Sequence, residues 1–158
     1  MSYQIRKGRR EDLPEVLALI KELAEYERAA DEVENTLEQL EADGFGPQPF
    51  YGFYVAEEEG RLLGIALYYY RYSTWKGKSL YLEDIVVTES TRGRGMGKQL
   101  FDQMVREARE QDCHQVNWQV LDWNEPAINF YKKLGADLDG EWINCRLNKA
   151  AIQAYQFT

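Results

Sequence analysis

The chain has 158 residues, a hydrophobic fraction of 44% and an aromatic fraction of 13%, which is typical of a globular domain with its own core. Its formal net charge of −8 argues against nucleic acid as a partner, because nucleic acid binds basic surfaces. No apolar run approaches the ~20 residues that span a membrane, and the N-terminal MSYQIRKGRRED lacks the apolar stretch of a signal peptide, so we expect a cytoplasmic protein without membrane contact.

The apolar pattern of the first half predicts a strand, two helices and a hairpin. Helix 12–29 places its apolar side chains on one stripe at helical spacing, and helix 36–46 stops at Gly44. The predicted elements are a strand over 3–6, helices over 12–29 and 36–46, and strands over 53–58 and 61–72 joined by a turn around Gly60.

The second half predicts strands and helices in alternation. The strand over 79–90 is nearly continuous in apolar content at its end, as a central strand is. The other predicted elements are an amphipathic helix over 98–111, a strand over 115–121, a helix over 124–135 closed by Gly135, and a strand over 141–149. The order β-α-α-β-β-β-α-β-α-β predicts a single α+β domain, residues 1–158, with a mixed sheet.

The sequence offers few residues for metal or triad chemistry. Cys113 and Cys145 have no CxxC spacing, so two reduced thiols are expected. His114 is the only histidine, which argues against a histidine-rich metal site and a serine–histidine triad. We therefore expect no metal.

Acidic residues are concentrated in one stretch. From Glu22 to Asp43 there are nine carboxylates and one basic residue, Arg28. This stretch is either a solvated helix face or the source of a field that attracts a small cation, and composition alone does not choose between them.

A glycine-rich loop follows the predicted strand 79–90. The segment TESTRGRGMGKQLF (88–101) contains three alternate glycines with two arginines among them. Glycines let successive backbone N–H groups converge, and these groups bind anions together with a helix N-terminus. The arginines suit a ligand with several phosphate charges. We call residues 92–97, RGRGMG, the glycine loop.

The glycine loop differs from the two common phosphate loops. A nucleotide-binding P-loop requires GxxxxGK followed by Ser or Thr, whereas Gln99 follows Lys98 here and Arg92 stands where the first glycine belongs. A dinucleotide fingerprint requires GxGxxG after the first strand, whereas this loop is GxGxG after the fourth predicted strand.

The glycine loop resembles the coenzyme A loop of the Gcn5-related N-acetyltransferase (GNAT) superfamily, whose pattern is Arg/Gln-x-x-Gly-x-Gly/Ala. Three further segments resemble the diamine (spermidine/spermine) acetyltransferase branch of this superfamily: FGPQPFYGFYVAE (45–57), YSTWKGKSLYLEDIVV (72–87) and VLDWNEPAINFYKKLGA (120–136). Within that branch, YSTWKG, YLEDI and VLDWN look most like the thialysine N-epsilon-acetyltransferases. The resemblance runs from about residue 3 to 149.

This resemblance implies a GNAT fold, with a central mixed β-sheet flanked by helices, and acetyl-CoA as co-substrate. It implies that the glycine loop holds the CoA pyrophosphate and that N–H groups of the splayed strand before it bind the acetyl carbonyl. The expected CoA-binding residues are Ile85, Val86, Val87, Arg92, Gly93, Arg94, Gly95, Met96, Gly97, Lys98, Asn124, Pro126, Asn129 and Tyr131.

Acetyl transfer to an amine requires that the amine lose its proton. A lysine-type amine has a pKa near 10.4, so only about one molecule in a thousand is neutral at pH 7.5, and deprotonation costs roughly 4 kcal/mol unless the site assists. By resemblance, Glu83 takes this proton through water and Asp84 holds the ammonium end. Because adjacent strand residues face opposite ways, both reach the substrate only if a bulge intervenes. The alternative is an exposed acidic pair.

Tyr131 is the candidate general acid. It lies seven residues after Asn124, so both fall on one face of the predicted helix. A phenol with a pKa of about 10 is protonated at pH 7 and can donate to a departing thiolate. Composition alone favours a core tyrosine, whereas the NFYKKLG context resembles that of the family's tyrosine. Asn124 is either a CoA contact or a helix N-cap.

The resemblance assigns the cation pocket to Tyr26, Glu27 and Trp75, since an aromatic ring and a carboxylate suit an ammonium group. The polyamine acetylases carry an aspartate in the loop where this chain has YSTW (72–75), and an arginine in place of Ala18. Loss of that carboxylate favours a shorter lysine-like amine such as thialysine, whose sulfur lowers the pKa of its amine. Polyamines are the alternative substrate.

Two other classes are weaker alternatives. A non-catalytic CoA-binding module would lack the acid, the base and the cation pocket. A protein acetyltransferase needs an open peptide groove, whereas the bulky YYYRYSTW (68–75) favours a closed small-molecule pocket. The resemblance also implies a homodimer, and the apolar tail AAIQAYQF (150–157) suits packing on a partner.

Overall fold

The computed structural model describes residues 2–158. Its strands are β1 (Gln4–Lys7), β2 (Gly52–Glu58), β3 (Arg61–Ser73), β4 (Gly77–Val87) and β5 (Gln115–Asn117). Its helices are α1 (Leu13–Tyr26), α2 (Leu37–Phe45), α3 (Met96–Glu110), α4 (Glu125–Lys133) and α5 (Lys149–Ala154), with short 3₁₀ turns at Arg10–Asp12, Ala30–Glu32 and Glu89–Thr91.

The five strands form one sheet in chain order, β1-β2-β3-β4-β5. Neighbouring strands are antiparallel from β1 to β4, and β5 runs parallel to β4. The predicted mixed sheet of an α+β fold is therefore confirmed. The parallel ladder is short, because β5 pairs only with Ser79–Tyr81 whereas β4 runs on to Val87.

Helices cover both faces of this sheet. On one face, α1 and α2 pack on β2, β3 and the end of β4, in a cluster that includes Val16, Leu40, Ile65 and Val86. Gly64, the neighbour of Ile65, faces the other way, since a Cβ placed there would lie 3.1 Å from Leu100 of α3. α3 therefore covers the opposite face, as the alternation of side chains along a strand requires.

The helix boundaries follow from local chemistry. Thr36 caps α2, since its Oγ1 accepts a hydrogen bond from the Gln39 N–H at 3.1 Å. Asn148 caps α5 by the same kind of bond to the Ala151 N–H at 2.9 Å.

Two strand predictions in the last third of the chain differ from the structure. The predicted strand over 115–121 stops at Asn117, and residues 141–149 form no strand in the described chain; α5 begins at Lys149 instead. Apolar alternation is not sufficient for a strand, because a strand also needs a neighbour for its backbone hydrogen bonds. Trp142 and Ile143 are 72% and 88% exposed.

The chain divides into two compact units, one ending at Gln119 and the other comprising Val120–Thr158. The sheet, α1, α2 and α3 belong to the first unit, and α4 and α5 to the second. Among residues 2–158 no helix has the length and apolar content that a membrane crossing requires.

Candidate active site

A β-bulge at Glu83 interrupts the pairing of β3 with β4. Leu67 pairs with Asp84, but the next residue, Tyr68, pairs with Leu82, so no residue of β3 lies opposite Glu83 in the ladder. Such a bulge changes which face the following side chains take. It brings the adjacent carboxylates of Glu83 and Asp84 to the same face of the sheet, the face covered by α1.

Asp84 lies beside two other carboxylates. Burial, together with the negative charges of Glu83 and Glu27, raises the pKa of Asp84 to about 6. Burial also raises the pKa of Glu27, the residue that follows α1. We call Glu27, Glu83 and Asp84 the acidic cluster. It concentrates negative charge at one partly buried point, as a cation site requires.

The carboxylate of Glu83 is held by a tyrosine that the sequence did not single out. The Tyr69 hydroxyl donates to Glu83 Oε2 at 3.2 Å, and burial with the nearby Glu83 charge raises the pKa of Tyr69 to about 12. Tyr69 pairs with Tyr81 across the ladder, with ring centroids 5.2 Å apart. The triple YYY (68–70) marks an aromatic region, but only the register identifies the tyrosine that faces Glu83.

The aromatic residues predicted for the cation pocket occupy different surroundings. Tyr26, the last residue of α1, directly precedes Glu27, and its ring lies 5.2 Å from the Arg92 guanidinium. Trp75 lies in the turn between β3 and β4 and is 81% exposed.

The glycine loop has the backbone geometry of an anion site. Gly93 and Gly95 have φ angles of +85° and +77°, which favour glycine. A Cβ at either position would meet no atom within 4 Å, so the space before α3 is open. Gly95 is the N-cap of α3 and has no side chain to cap the first turn. As at any helix start, the N–H groups of Met96, Gly97 and Lys98 have no acceptor within α3 itself.

The three basic side chains near this space are not equivalent. Arg94 pairs through two nitrogens with Glu58, at 2.7 and 3.0 Å, and this pairing holds the pKa of Glu58 down at about 2. Lys98 forms an ion pair with Asp102. Arg92 forms no ion pair with any described residue; its Nε donates to the Val87 carbonyl at 3.2 Å. Arg92 is therefore the cation most available to a phosphate.

The edge of β4 beyond Tyr81 has no β5 partner. Ile85, Val86 and Val87 lie on this length of strand, which residues 88–91 join to the glycine loop. Their N–H and C=O groups either pair with β3 or point to the open edge. The expected CoA-binding residues of β4 and of the glycine loop are thus separated by only the four residues 88–91.

The second unit carries the remaining predicted residues on α4 or at its start. The Asn124 Oδ1 accepts a hydrogen bond from the Ala127 N–H at 3.3 Å, so Asn124 is the N-cap of α4. Pro126 is in the first turn and Asn129 is exposed. Tyr131 is buried, like Asn124, and its ring lies edge-on to Phe130 with centroids 5.5 Å apart.

The chain is similar to a known protein family and to curated proteins. The model of the acetyltransferase (GNAT) family matches residues 15–136. Thialysine N-epsilon-acetyltransferase of Bos taurus is 44% identical over 140 residues, covering 84% of this chain and 82% of that protein. Spermidine/spermine N(1)-acetyltransferase-like protein 1 of Homo sapiens is 39% identical over 160 residues, covering 95% of this chain but 23% of that protein.

A solved structure of similar fold is an aminoglycoside N-acetyltransferase in complex with CoA. Its TM-score is 0.74 at 21% identity, covering 92% of this chain and 94% of that one. At this identity the likeness concerns the fold.

Proposed function

Because the chain belongs to the acetyltransferase (GNAT) family, we propose that it moves an acetyl group from acetyl-CoA to the primary amine of a small cationic substrate. The observation that carries this proposal is the bulge at Glu83, which turns two adjacent carboxylates to the face of α1 in the strand that leads to the glycine loop. Acetyl-CoA supplies the thioester-activated acetyl group. Residues 1–158 act as one N-acetyltransferase domain in this proposal.

In this proposal the glycine loop binds the CoA pyrophosphate. The support is its open space, the N–H groups at the start of α3 that have no acceptor within this helix, and the availability of Arg92. Arg94 and Lys98 contribute once they exchange their carboxylate partners for phosphate. The open edge of β4 at Ile85–Val87 offers backbone groups to the pantetheine arm and the acetyl carbonyl.

The acidic cluster handles the amine. Asp84 and Glu27 attract the ammonium group, and Glu83 accepts its proton through water. Tyr69 holds the Glu83 carboxylate in place through its hydroxyl. A carboxylate is intrinsically a much weaker base than an amine, so we assign Glu83 the role of relay and the cluster's field the role of orienting the amine.

Tyr131 protonates the thiolate as it leaves. The proposal is supported by the NFYKKLG sequence and by the burial of Tyr131 on the helix that Asn124 caps. A phenol that stays protonated at neutral pH suits this step. Asn124, Pro126 and Asn129 contact CoA from the start and the exposed side of α4.

Thialysine or a related lysine-like amine is our first candidate substrate. The bovine relative at 44% identity is named for thialysine, and the YSTW segment (72–75) lacks a carboxylate next to Trp75. Tyr26 and Trp75 supply aromatic surface for the amine in this proposal. The alternative is a diamine or polyamine, which the human relative named for spermidine and spermine supports.

The function is tested by release of free thiol from acetyl-CoA with a panel of amines. We expect turnover with thialysine at lower concentration than with lysine, putrescine or spermidine. Preference for spermidine would select the alternative, and no thiol release with any amine would contradict the amine acetyltransferase. The matched control is Glu83→Gln, which keeps the size of the side chain and removes its basicity.

We also propose that the protein is a cytoplasmic homodimer. The support is the apolar surface of the second unit: Trp142, Ile143, Leu147, Ile152 and Phe157 are all exposed. Several large exposed apolar side chains within one short stretch of sequence are typical of an interaction surface.

A further inference from the structure

Glu22, on α1, binds the segment that joins β4 to the glycine loop. The Thr88 hydroxyl donates to the Glu22 carboxylate, with oxygen distances of 3.1 and 3.0 Å. The Glu89 N–H donates to Glu22 Oε1 at 2.9 Å. A carboxylate that accepts from a hydroxyl and a backbone N–H holds that backbone with charge-assisted bonds.

One turn further along α1, Tyr26 contacts the first residue of the glycine loop. Residues four apart lie on one face of a helix, and the Tyr26 ring lies 5.2 Å from the Arg92 guanidinium. The side chain of Arg92 folds back to the Val87 carbonyl at 3.2 Å. One face of α1 thus contacts the chain both where it leaves β4 and where the glycine loop begins.

We infer that Glu22 is a positioning residue for acetyl-CoA binding, which fixes the entry of the glycine loop against the helix that leads to Glu27. This inference rests on the proposed function, since it takes CoA as the ligand of the loop. Without Glu22, the hydrogen bonds that hold the segment 88–91 among residues 2–158 are its own turn bonds and the bond from the Thr88 N–H to the Leu63 carbonyl. Arg92 would then be less well aligned with the phosphates.

A positioning role and a purely electrostatic role of Glu22 predict opposite changes in CoA affinity when Glu22 is replaced. Removing a negative charge near an anion site favours the anion, so a purely electrostatic role makes Glu22→Ala bind CoA more tightly. A positioning role makes the same variant bind CoA more weakly, by roughly tenfold. Glu25→Gln is the matched control, because Glu25 is on the same helix, is exposed and carries the same charge.

The same contacts couple the two substrates. Since α1 ends next to Glu27, an amine bound at the acidic cluster and CoA bound at the glycine loop are both held by this helix. The factor by which the amine changes CoA affinity should therefore move toward one when Glu22 is lost. A merely structural Glu22 would lower the melting temperature and leave this factor unchanged.

The test is calorimetry with CoA, with and without the amine, on wild type, Glu22→Ala, Glu22→Gln, Thr88→Val and Glu25→Gln. We expect weaker CoA binding in Glu22→Ala, partial recovery in Glu22→Gln, which keeps one acceptor oxygen, and wild-type binding in Glu25→Gln. Thr88→Val should weaken CoA binding less than Glu22→Ala does. In the double variant Glu22→Ala/Thr88→Val, the loss of CoA-binding free energy should be smaller than the sum of the two single losses.

The inference is overturned if Glu22→Ala and Glu25→Gln bind CoA with equal affinity, whether that affinity is the wild-type value or is weakened in both variants. Failure of the proposed function has a different result: the wild type binds CoA but acetylates no amine, while the comparison of the Glu22 variants still decides the positioning role. A wild type that binds no CoA overturns both.

Discussion

At the scale of single residues, the carboxyl group of Asp84 has a higher pKa in the folded protein than in the unfolded chain. Its pKa is about 6 because it is buried beside two like charges, whereas an unperturbed aspartate has a pKa near 3.9. The folded state therefore binds this proton more tightly. The resulting contribution to stability is present at low pH and is lost as pH rises through about 6.

Asp84→Asn should consequently raise the melting temperature at pH 8 and have little effect at pH 4. The gain in unfolding free energy at pH 8 is up to about 3 kcal/mol, from the difference between the two pKa values. Thermal unfolding of both proteins from pH 4 to 8 measures it. An equal effect at all pH values would contradict the buried charge, and activity should fall in the same variant.

Tyr131→Phe tests the general acid. The change removes one oxygen and keeps the ring, so CoA affinity should barely change. If the phenol protonates the thiolate, kcat should fall by roughly 10²–10³, and kcat/KM by the same factor, because the interaction is made in the transition state. Phe130→Leu, on the neighbouring residue, is the control for packing. Near-normal turnover of Tyr131→Phe at pH 7.5 would mean that solvent protonates the thiolate.

At the scale of elements, the two arginines of the glycine loop, Arg92 and Arg94, differ in whether they form an ion pair. Arg94 is paired with Glu58, whereas Arg92 pairs with no carboxylate of the described chain. An arginine must give up its carboxylate partner before it can bind phosphate, so the two should contribute unequally.

Arg92→Ala should weaken acetyl-CoA binding more than Arg94→Ala does. We expect about tenfold or more for Arg92, from the loss of a charge-assisted contact, and less than about threefold for Arg94, whose ion pair must be broken first. Calorimetry with acetyl-CoA at two salt concentrations compares the two. The reverse order would show that Glu58 releases Arg94 without cost.

The glycine loop and most elements were predictable because their signals are local: apolar spacing for α1 and α3, and alternate glycines between a strand and a helix. The bulge at Glu83 was not, because it depends on which residues of β3 and β4 pair, and the carboxylates are adjacent in sequence with or without it. Its possibility could be stated, but not its position. The hydrogen bonds of Glu22 join residues 66 and 67 apart in sequence, so no local pattern predicts them.

At the scale of the whole molecule, the wrong prediction for residues 141–149 and the proposed homodimer have a common physical basis. A sequence with strand character and no neighbour has unpaired backbone groups and exposed apolar side chains. In residues 2–158 this segment is not a strand, and Ile143 is 88% exposed.

We expect sedimentation of the wild type at micromolar concentration to give twice the chain mass of 18.5 kDa. Ile143→Glu should shift the protein toward the monomer, because a charge opposes burial of this surface. Gln111→Glu adds the same charge at an exposed residue of the first unit, outside the proposed surface, and should leave the dimer intact. A wild-type monomer would refute the homodimer.

The bulge can also be regarded as a one-residue insertion into an otherwise regular hairpin. Deleting Glu83 would join the Leu67–Asp84 and Tyr68–Leu82 pairs into one uninterrupted ladder, with every other side chain left on its present face. Such a deletion should fold and be at least as stable as the wild type, yet have little activity. Glu83→Ala keeps the insertion and loses only the carboxylate. The ratio of the two turnover rates therefore measures how much of the catalysis depends on chain length at this point, separately from the chemistry of the residue that occupies it.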